Sequence, residues 1–209
     1  MKGIQNVIFD LGGVIINLDV SRTISEFNKI SQIPFENIYT QAKQDELFSL
    51  LDKGKISTED FLSELKRQIR FTGSDKELLK AWNAMLLNVP EERLDALVEM
   101  KHNYNTYLLS NTCEPHIEAF EKDLHDEHGI KNFDDYFDKV YYSCRIGMRK
   151  PDKEIFEFVL QQNNLKPEET VFIDDSPQHV KGAGECGINA FLLQKNMSVN
   201  DLLRQLKLL

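Results

Sequence analysis

The stretch at residues 7–19, VIFDLGGVIINLD, decides the fold. It starts with a short apolar run containing β-branched and aromatic side chains, which is typical of a parallel strand covered on both faces. The run stops at the carboxylate of Asp10, and two glycines, Gly12 and Gly13, follow almost at once. Ligands of open parallel sheets bind outside the carboxyl ends of the strands. A strand that ends on Asp10 therefore predicts an acidic group at a binding edge.

Four later segments repeat this pattern, and helical patterns separate them. The segments are TYLLS ending at Ser110, KVYYS ending at Ser143, TVFID ending at Asp174, and NAFLL near the end of the chain. The predicted helices cover residues 90–102, 115–124, 152–163, 178–186 and 198–208. Strands that alternate with helices predict an α/β fold, a Rossmann-like doubly wound parallel sheet.

One part of the chain departs from the alternation, because residues 20–89 show helical patterns throughout. Ser57 with Asp60, and Ser74 with Glu77, have the spacing of capping boxes that begin helices. This predicts a small helical domain, residues 17–89, inserted into an α/β core made of residues 1–16 and 90–209.

Charge and cysteine content restrict the partners and the compartment. The net charge of −9 disfavours binding to nucleic acid or to an anionic membrane surface. The three cysteines are far apart and include no C-x-x-C pair, as expected for reduced thiols. No apolar run is long enough to span a membrane. These features predict a cytoplasmic protein that binds neither nucleic acid nor membranes.

Polar residues close three of the predicted strands. Asp10 follows the first strand, Ser110 and Asn111 follow the second motif strand, and Asp174 and Asp175 follow the third. Because the carboxyl ends of parallel strands meet at one edge of the sheet, we expect these side chains to converge on one crevice.

Four motifs in order, FDLGGV, LLSNT, RKPD and FIDDS, give the chain a family likeness. It resembles the haloacid dehalogenase superfamily, whose members mostly hydrolyse phosphate esters through an aspartyl-phosphate. The resemblance covers essentially the whole chain, and the helical insertion stands where the family's first type of cap domain is found.

The resemblance implies roles for the strand-end residues. Asp10 is the expected nucleophile, and Lys150 is expected to neutralise both Asp10 and the phosphate. The expected ligands of Mg²⁺ are Asp10, the backbone carbonyl of Gly12 and one acid of the Asp174/Asp175 pair. The family pattern favours Asp175 for direct contact, with Asp174 nearby or reaching the ion through water.

The motif SNT, together with the following helix start, implies a phosphate site. Ser110, the Asn111 side chain and nearby backbone N–H groups are expected to hold the phosphoryl oxygens. His116, in the same helix, either faces the phosphate or has an ordinary surface or capping role. Trp82 and Phe48 are expected in the core of the insertion rather than against a substrate.

Gly12 departs from the family pattern, because most phosphatases of the superfamily carry a second Asp there as general acid and base. Dehalogenases and phosphonatases of the superfamily lack this Asp too. However, SNT and GMRKP match a subgroup that resembles the α-D-glucose-1-phosphate phosphatases, which also lack it. Asp19 is one candidate replacement, although a helix N-cap is its simpler role. The other explanation is a substrate whose leaving group needs little protonation. Gly12 itself is a candidate for backbone with φ > 0.

The combined expectation is a Mg²⁺-dependent phosphatase that acts on a small phosphorylated metabolite, a sugar phosphate by subgroup resemblance. Two alternatives stay open: a 2-haloacid dehalogenase, which uses the Asp nucleophile without metal, and a phosphate-binding module without turnover. The oligomeric state is not predicted.

Overall fold

A five-stranded sheet organises the protein, whose computed structural model describes residues 3–39 and 46–209. The strands are β1 (Asn6–Phe9), β2 (Asn105–Ser110), β3 (Lys139–Tyr142), β4 (Thr170–Asp174) and β5 (Asn189–Leu192). Their order in the sheet is β3-β2-β1-β4-β5, and every neighbouring pair is parallel. The predicted doubly wound α/β fold is confirmed.

Helices join the strands. They are α1 (Val20–Ile30), α2 (Glu46–Asp52), α3 (Thr58–Ile69), α4 (Asp75–Asn83), α5 (Glu91–Asn103), α6 (Glu114–His128), α7 (Ser143–Ile146), α8 (Lys153–Gln162), α9 (Pro177–Glu185) and α10 (Val199–Leu206). Short 3-10 turns occur at Phe35–Asn37, Phe133–Tyr136 and Pro167–Glu169. The chain leaves β1 toward β2 and β3, then returns past β1 to β4 and β5. The carboxyl ends of β1 and β4 therefore flank the point where the strand order reverses, which is where such sheets bind ligands, and β2 lies next to β1.

The sheet has an apolar cluster on each face. Successive residues of a strand point to opposite faces, so Val7 and Phe9 join one cluster and Ile8 joins the other. All three side chains are fully buried. Burial on both faces explains why the first strand is a continuous apolar run, and it leaves the strand ends as the places for polar groups.

The described residues between β1 and α5 form helices α1 to α4, called the helical insertion below, with one 3-10 turn. They have their own apolar cluster, which includes Phe27, Phe48, Phe61 and Trp82. Phe48 and Trp82 are buried in this cluster, as expected, but Trp82 also lines the cavity described below. Residues 40–45, part of the predicted 17–89 domain, lie outside the described residues, and the domain boundaries stay a prediction.

The helix starts predicted from the sequence are present, with two differences in detail. Ser74 and Glu77 form a reciprocal capping box at α4, whereas Ser57 caps α3 by accepting the N–H of Asp60. The helix predicted over residues 152–163 begins at Lys153 as α8, so Pro151 lies in the turn before it, after a cis peptide bond from Lys150.

Candidate active site

Three carboxylates meet at the carboxyl edge of the sheet. Asp10, Asp174 and Asp175 each place one oxygen within 4.8 Å of the other two. Asp10 follows β1, whereas Asp174 and Asp175 end and follow the neighbouring strand β4. Two adjacent parallel strands that both end on acids produce this cluster directly. Such hard oxygen donors suit a magnesium ion.

Lys150 joins the two strand ends. Its ammonium is fully buried and lies 2.7 Å from Asp10 Oδ1 and 2.7 Å from Asp174 Oδ2. Burial by itself lowers the pKa of Lys150, but attraction to Asp10 and Asp174 outweighs it, so the pKa is raised. Lys150 is therefore a permanent cation inside the site.

One buried lysine does not balance three carboxylates. Burial, with repulsion from Asp174, raises the pKa of Asp10 despite the attraction of Lys150. Burial and repulsion from Asp174 also raise the pKa of Asp175 to about 6. In contrast, Lys150 and His179 outweigh the desolvation of Asp174 and lower its pKa. This excess of negative charge, presented by oxygen donors, fits a divalent cation.

The two acids of the FIDDS motif have different surroundings. Asp174 is fully buried, and Oδ1 accepts the Ser176 N–H at 2.8 Å while both oxygens lie 3.0 Å from His179 Nδ1. Asp175 is half-buried and lines the cavity above the site. This geometry favours Asp175 over Asp174 for direct contact with a metal. Sequence reasoning missed His179, whose signal was only its position in the first turns of the helix after the acid pair.

The glycine loop after β1 is tightly packed. The positive φ lies at Gly13 (76°), not at Gly12 as expected. A Cβ on Gly13 would lie 2.3 Å from Asp175 Oδ2, so this position needs glycine for backbone and space alike. A Cβ on Gly12 would lie 2.5 Å from the Cδ1 of Leu18, the flexible end of a side chain.

Residues of the SNT segment line the cavity and also support the site. Ser110 is buried at the end of β2, and both Ser110 and Asn111 line the cavity. The Asn111 amide bonds the Lys150 backbone twice: its Nδ2 donates to the carbonyl at 2.8 Å, and its Oδ1 accepts the N–H at 2.9 Å. Asn111 therefore positions Lys150 in this structure, and its contact with a phosphate stays a prediction.

A cavity of about 750 Å³ opens above the carboxylates. Its walls come from the strand ends and from the helical insertion. The residues on the side of the insertion include Leu18, Tyr39, Ser49, Asp52, Lys53, Trp82, Met85 and Leu86.

Asp19 is not among the residues that line the cavity. Its carboxylate caps α1 by accepting the Ser21 N–H at 3.0 Å, and bonds from the Ser21 hydroxyl lower its pKa. In the structure, Asp19 therefore has the simpler of its two expected roles, that of a helix N-cap.

The position of His116 matches neither of its two expected roles completely. It lines the cavity but is buried, and its ring stacks on Trp82 with centroids 4.8 Å apart. Its Nε2 lies 3.3 Å from the Trp82 carbonyl, which can only accept a hydrogen bond. Burial lowers the pKa of His116 to about 4. It is therefore a neutral donor that attaches α6 to the insertion.

The chain belongs to the haloacid dehalogenase-like hydrolases, because the model of that family matches residues 4–187. It is accordingly a hydrolase, and the predicted superfamily is confirmed. In the described ranges, every helix falls short of the length and apolarity that a membrane crossing requires.

Three relatives match nearly the whole chain. The D-ribitol-5-phosphate phosphatase of Bacteroides thetaiotaomicron is 30% identical over 196 residues, which cover 90% of this chain and 91% of the relative. A sesquiterpene phosphatase of Aspergillus oryzae is 29% identical over 203 residues, covering 95% and 94%. The crystal structure of a mutant haloacid dehalogenase family enzyme from Bacteroides thetaiotaomicron, in complex with magnesium and inorganic phosphate, matches with a TM-score of 0.91 at 35% identity. It covers 97% of this chain and 100% of that one.

The Gly13 packing gives a first prediction. In Gly13→Ala, the Cβ displaces the Asp175 carboxylate, so hydrolysis of p-nitrophenyl phosphate should fall and more magnesium should be needed for half-maximal rate. The left-handed backbone costs about 1–2 kcal/mol of stability. Gly129→Ala is the matched control, because Gly129 has φ 69° but nothing within 4 Å of its Cβ. Urea unfolding should show similar losses in both variants, and unchanged rates in both would contradict the packing argument.

His116 gives a second prediction, a loss of stability in mild acid. The unfolded state gains a proton near the ordinary pKa of 6.5, whereas the folded state resists protonation down to about 4. Stability from this group is therefore fully present at pH 7 and falls as the pH drops from 6.5 to 4, by roughly 3 kcal/mol. His116→Phe keeps an aromatic ring but cannot titrate. Urea unfolding at several pH values should show a shallower decline for the variant, and parallel curves would refute the assignment.

Proposed function

We propose that this protein is a magnesium-dependent phosphatase that hydrolyses a small phosphorylated metabolite, a sugar or polyol phosphate, through an aspartyl-phosphate. The observation that carries the proposal is the buried Lys150 between Asp10 and Asp174, with Asp175 beside them, below a cavity large enough for a small substrate. The phosphatase names of two full-length relatives support it.

The covalent steps follow from this arrangement. Lys150 holds Asp10 Oδ1, which leaves Oδ2 to attack the phosphorus. The bond from phosphorus to the substrate oxygen breaks, and the alcohol leaves after gaining a proton. Water then attacks the phosphorus of the aspartyl-phosphate. The bond to Asp10 breaks, and inorganic phosphate and the free carboxylate result.

The chain's own residues hold the reacting groups in place. Lys150 balances charge on Asp10 and on the phosphoryl oxygens, and Ser110 donates its hydroxyl to one of those oxygens. Asp10, the Gly12 carbonyl and Asp175 would hold the magnesium ion, and Asp174 holds Lys150 in place beside them. When bound, the ion would supply positive charge that keeps Asp10 ionised and neutralises the phosphate.

The helical insertion is proposed to act as a cap domain, residues 17–89, on a core of residues 1–16 and 90–209. It contributes much of the cavity wall away from the carboxylates. The three free cysteines support a reducing, cytoplasmic compartment. Neither nucleic acid nor membrane is a proposed partner.

The third prediction tests the nucleophile and the cation together. Asp10→Asn should lower kcat for p-nitrophenyl phosphate by roughly 10³-fold or more, since no covalent intermediate can form. Wild-type activity should disappear with EDTA and return with magnesium. Asp126→Asn, which alters an exposed carboxylate on α6, serves as the matched control and should behave as wild type.

Two outcomes would replace the proposal by one of the alternatives. Metal-independent release of chloride from 2-chloropropionate would identify a haloacid dehalogenase. A correctly folded wild-type protein that binds inorganic phosphate but turns over no phosphate ester would identify a binding module.

The fourth prediction concerns the absent acid at position 12. Without a protonating group, rate should depend steeply on the leaving group, because an unprotonated alkoxide leaves poorly. Glucose 1-phosphate, which leaves from an anomeric carbon, should then be hydrolysed faster than glucose 6-phosphate. Asp19→Asn should not change the ratio of the two kcat/KM values, because the Asp19 carboxylate is occupied as an N-cap. A selective loss on glucose 6-phosphate in Asp19→Asn would instead make Asp19 the missing acid.

A further inference from the structure

A buried ion pair, distinct from the carboxylate cluster, forms part of the cavity wall. Asp52 ends α2 in the helical insertion, and Arg149 immediately precedes Lys150 in the core. Both line the cavity that contains Asp10. Their side chains are 10% and 18% exposed, so the pair is largely withdrawn from solvent.

The side chains of Asp52 and Arg149 do not form a hydrogen bond with each other. The nearest approach, Arg149 NH2 to Asp52 Oδ2, is 3.7 Å, which is too long for a hydrogen bond. Within residues 3–39 and 46–209, the buried Arg149 Nε has no hydrogen-bond partner. Buried charged groups are costly unless hydrogen bonds satisfy them. The cavity wall therefore offers a carboxylate acceptor and a guanidinium donor that a ligand can satisfy.

The chemistry of the pair selects the ligand. A carboxylate beside a guanidinium is neutral in sum, so it gives no preference for a second charged group. It offers adjacent acceptor and donor positions, and a hydroxyl group, which both donates and accepts, matches them. Two neighbouring hydroxyls of a polyol can bridge both partners. The cavity is also lined by the apolar side chains of Trp82, Met85 and Leu86, which suit the carbon chain of the same molecule.

We propose that Asp52 and Arg149 form a hydroxyl-recognition subsite, which makes the enzyme selective for phosphates whose leaving group carries neighbouring hydroxyls, as in polyols and sugars. The subsite rests on the proposed phosphatase function, since it binds the leaving group of that reaction. It acts by binding hydroxyls and does not transfer the proton to the leaving oxygen.

An ion pair outside the cavity provides a control. Arg145 Nε lies 2.8 Å from Glu114 Oε1, with side chains 47% and 46% exposed, and neither residue lines the cavity. Removing this pair tests the effect of losing an ion pair without losing a buried polar pair of the cavity wall.

The experiment compares kcat/KM for three substrates with magnesium present. Ribitol 5-phosphate carries hydroxyls and a poor leaving group, propyl phosphate has only the poor leaving group, and p-nitrophenyl phosphate has neither. In Asp52→Asn and in Arg149→Gln, the ratio of ribitol 5-phosphate to propyl phosphate should fall by roughly 10- to 100-fold, the worth of a hydrogen bond to a charged group. Glu114→Gln, the control variant, should leave that ratio unchanged.

Other outcomes overturn the subsite separately from the phosphatase function. An equal loss on ribitol 5-phosphate and propyl phosphate, with p-nitrophenyl phosphate retained, would make Asp52 a proton donor. An equal loss on all three substrates, with a lower Tm, would make the pair purely structural. An unchanged ratio in both variants would exclude the subsite. If the wild type hydrolyses none of the three, the phosphatase proposal itself fails. The two variants each change a different member of the pair. If one variant misfolds, the kcat/KM ratio of the other still tests the proposal.

Discussion

The rest of the site depends on one buried cation, the ammonium of Lys150, held between Asp10 and Asp174 at 2.7 Å from each. Two neighbouring strands that end on acids would otherwise face each other with uncompensated charge. Breaking a buried pair by removing one partner typically costs about 3–5 kcal/mol. The lysine is itself fixed, because the Asn111 amide bonds both the N–H and the carbonyl of its backbone. Since Asn111 follows β2, three strand ends are tied together through Lys150.

The sequence predicted the parts of this arrangement that depend on strand periodicity. A buried apolar run that stops on Asp10 or Asp174 reveals a strand and its chemical end together, because parallel strands are covered on both faces and their carboxyl ends lie on one side. What it could not reveal depends on packing between distant segments. Asp52 and Arg149 come together only because α2 rests against the core near the segment before α8. The special backbone at Gly13 was assigned to its neighbour, since either glycine satisfies the pattern until the position of Asp175 is known.

The absent acid has a structural counterpart. The space beside Gly12 that a longer side chain would need is occupied by Leu18, whose Cδ1 would lie 2.5 Å from an added Cβ. Asp19, the next acid along the chain, is bonded to Ser21, and those bonds lower its pKa. A carboxyl group with a lowered pKa holds no proton at neutral pH, so it is poorly suited to protonate a leaving alkoxide. At the position where most phosphatases of the family have a proton donor, this loop therefore has a glycine next to the apolar side chain of Leu18.

Selectivity among related phosphatases then has to come from the walls of the cavity. Two relatives of similar identity carry names for very different leaving groups, a ribitol phosphate and a sesquiterpene. The apolar wall at Trp82, Met85 and Leu86 accepts carbon from either kind of molecule. We expect the pair Asp52 and Arg149 not to do so, because a hydrocarbon chain against it would return no hydrogen bond to two charged groups. A polyol would supply hydroxyls to both groups. In the proposed subsite, the hydrogen bonds offered to one buried ion pair would therefore distinguish the two substrate classes, without any change in the residues proposed to carry out phosphoryl transfer.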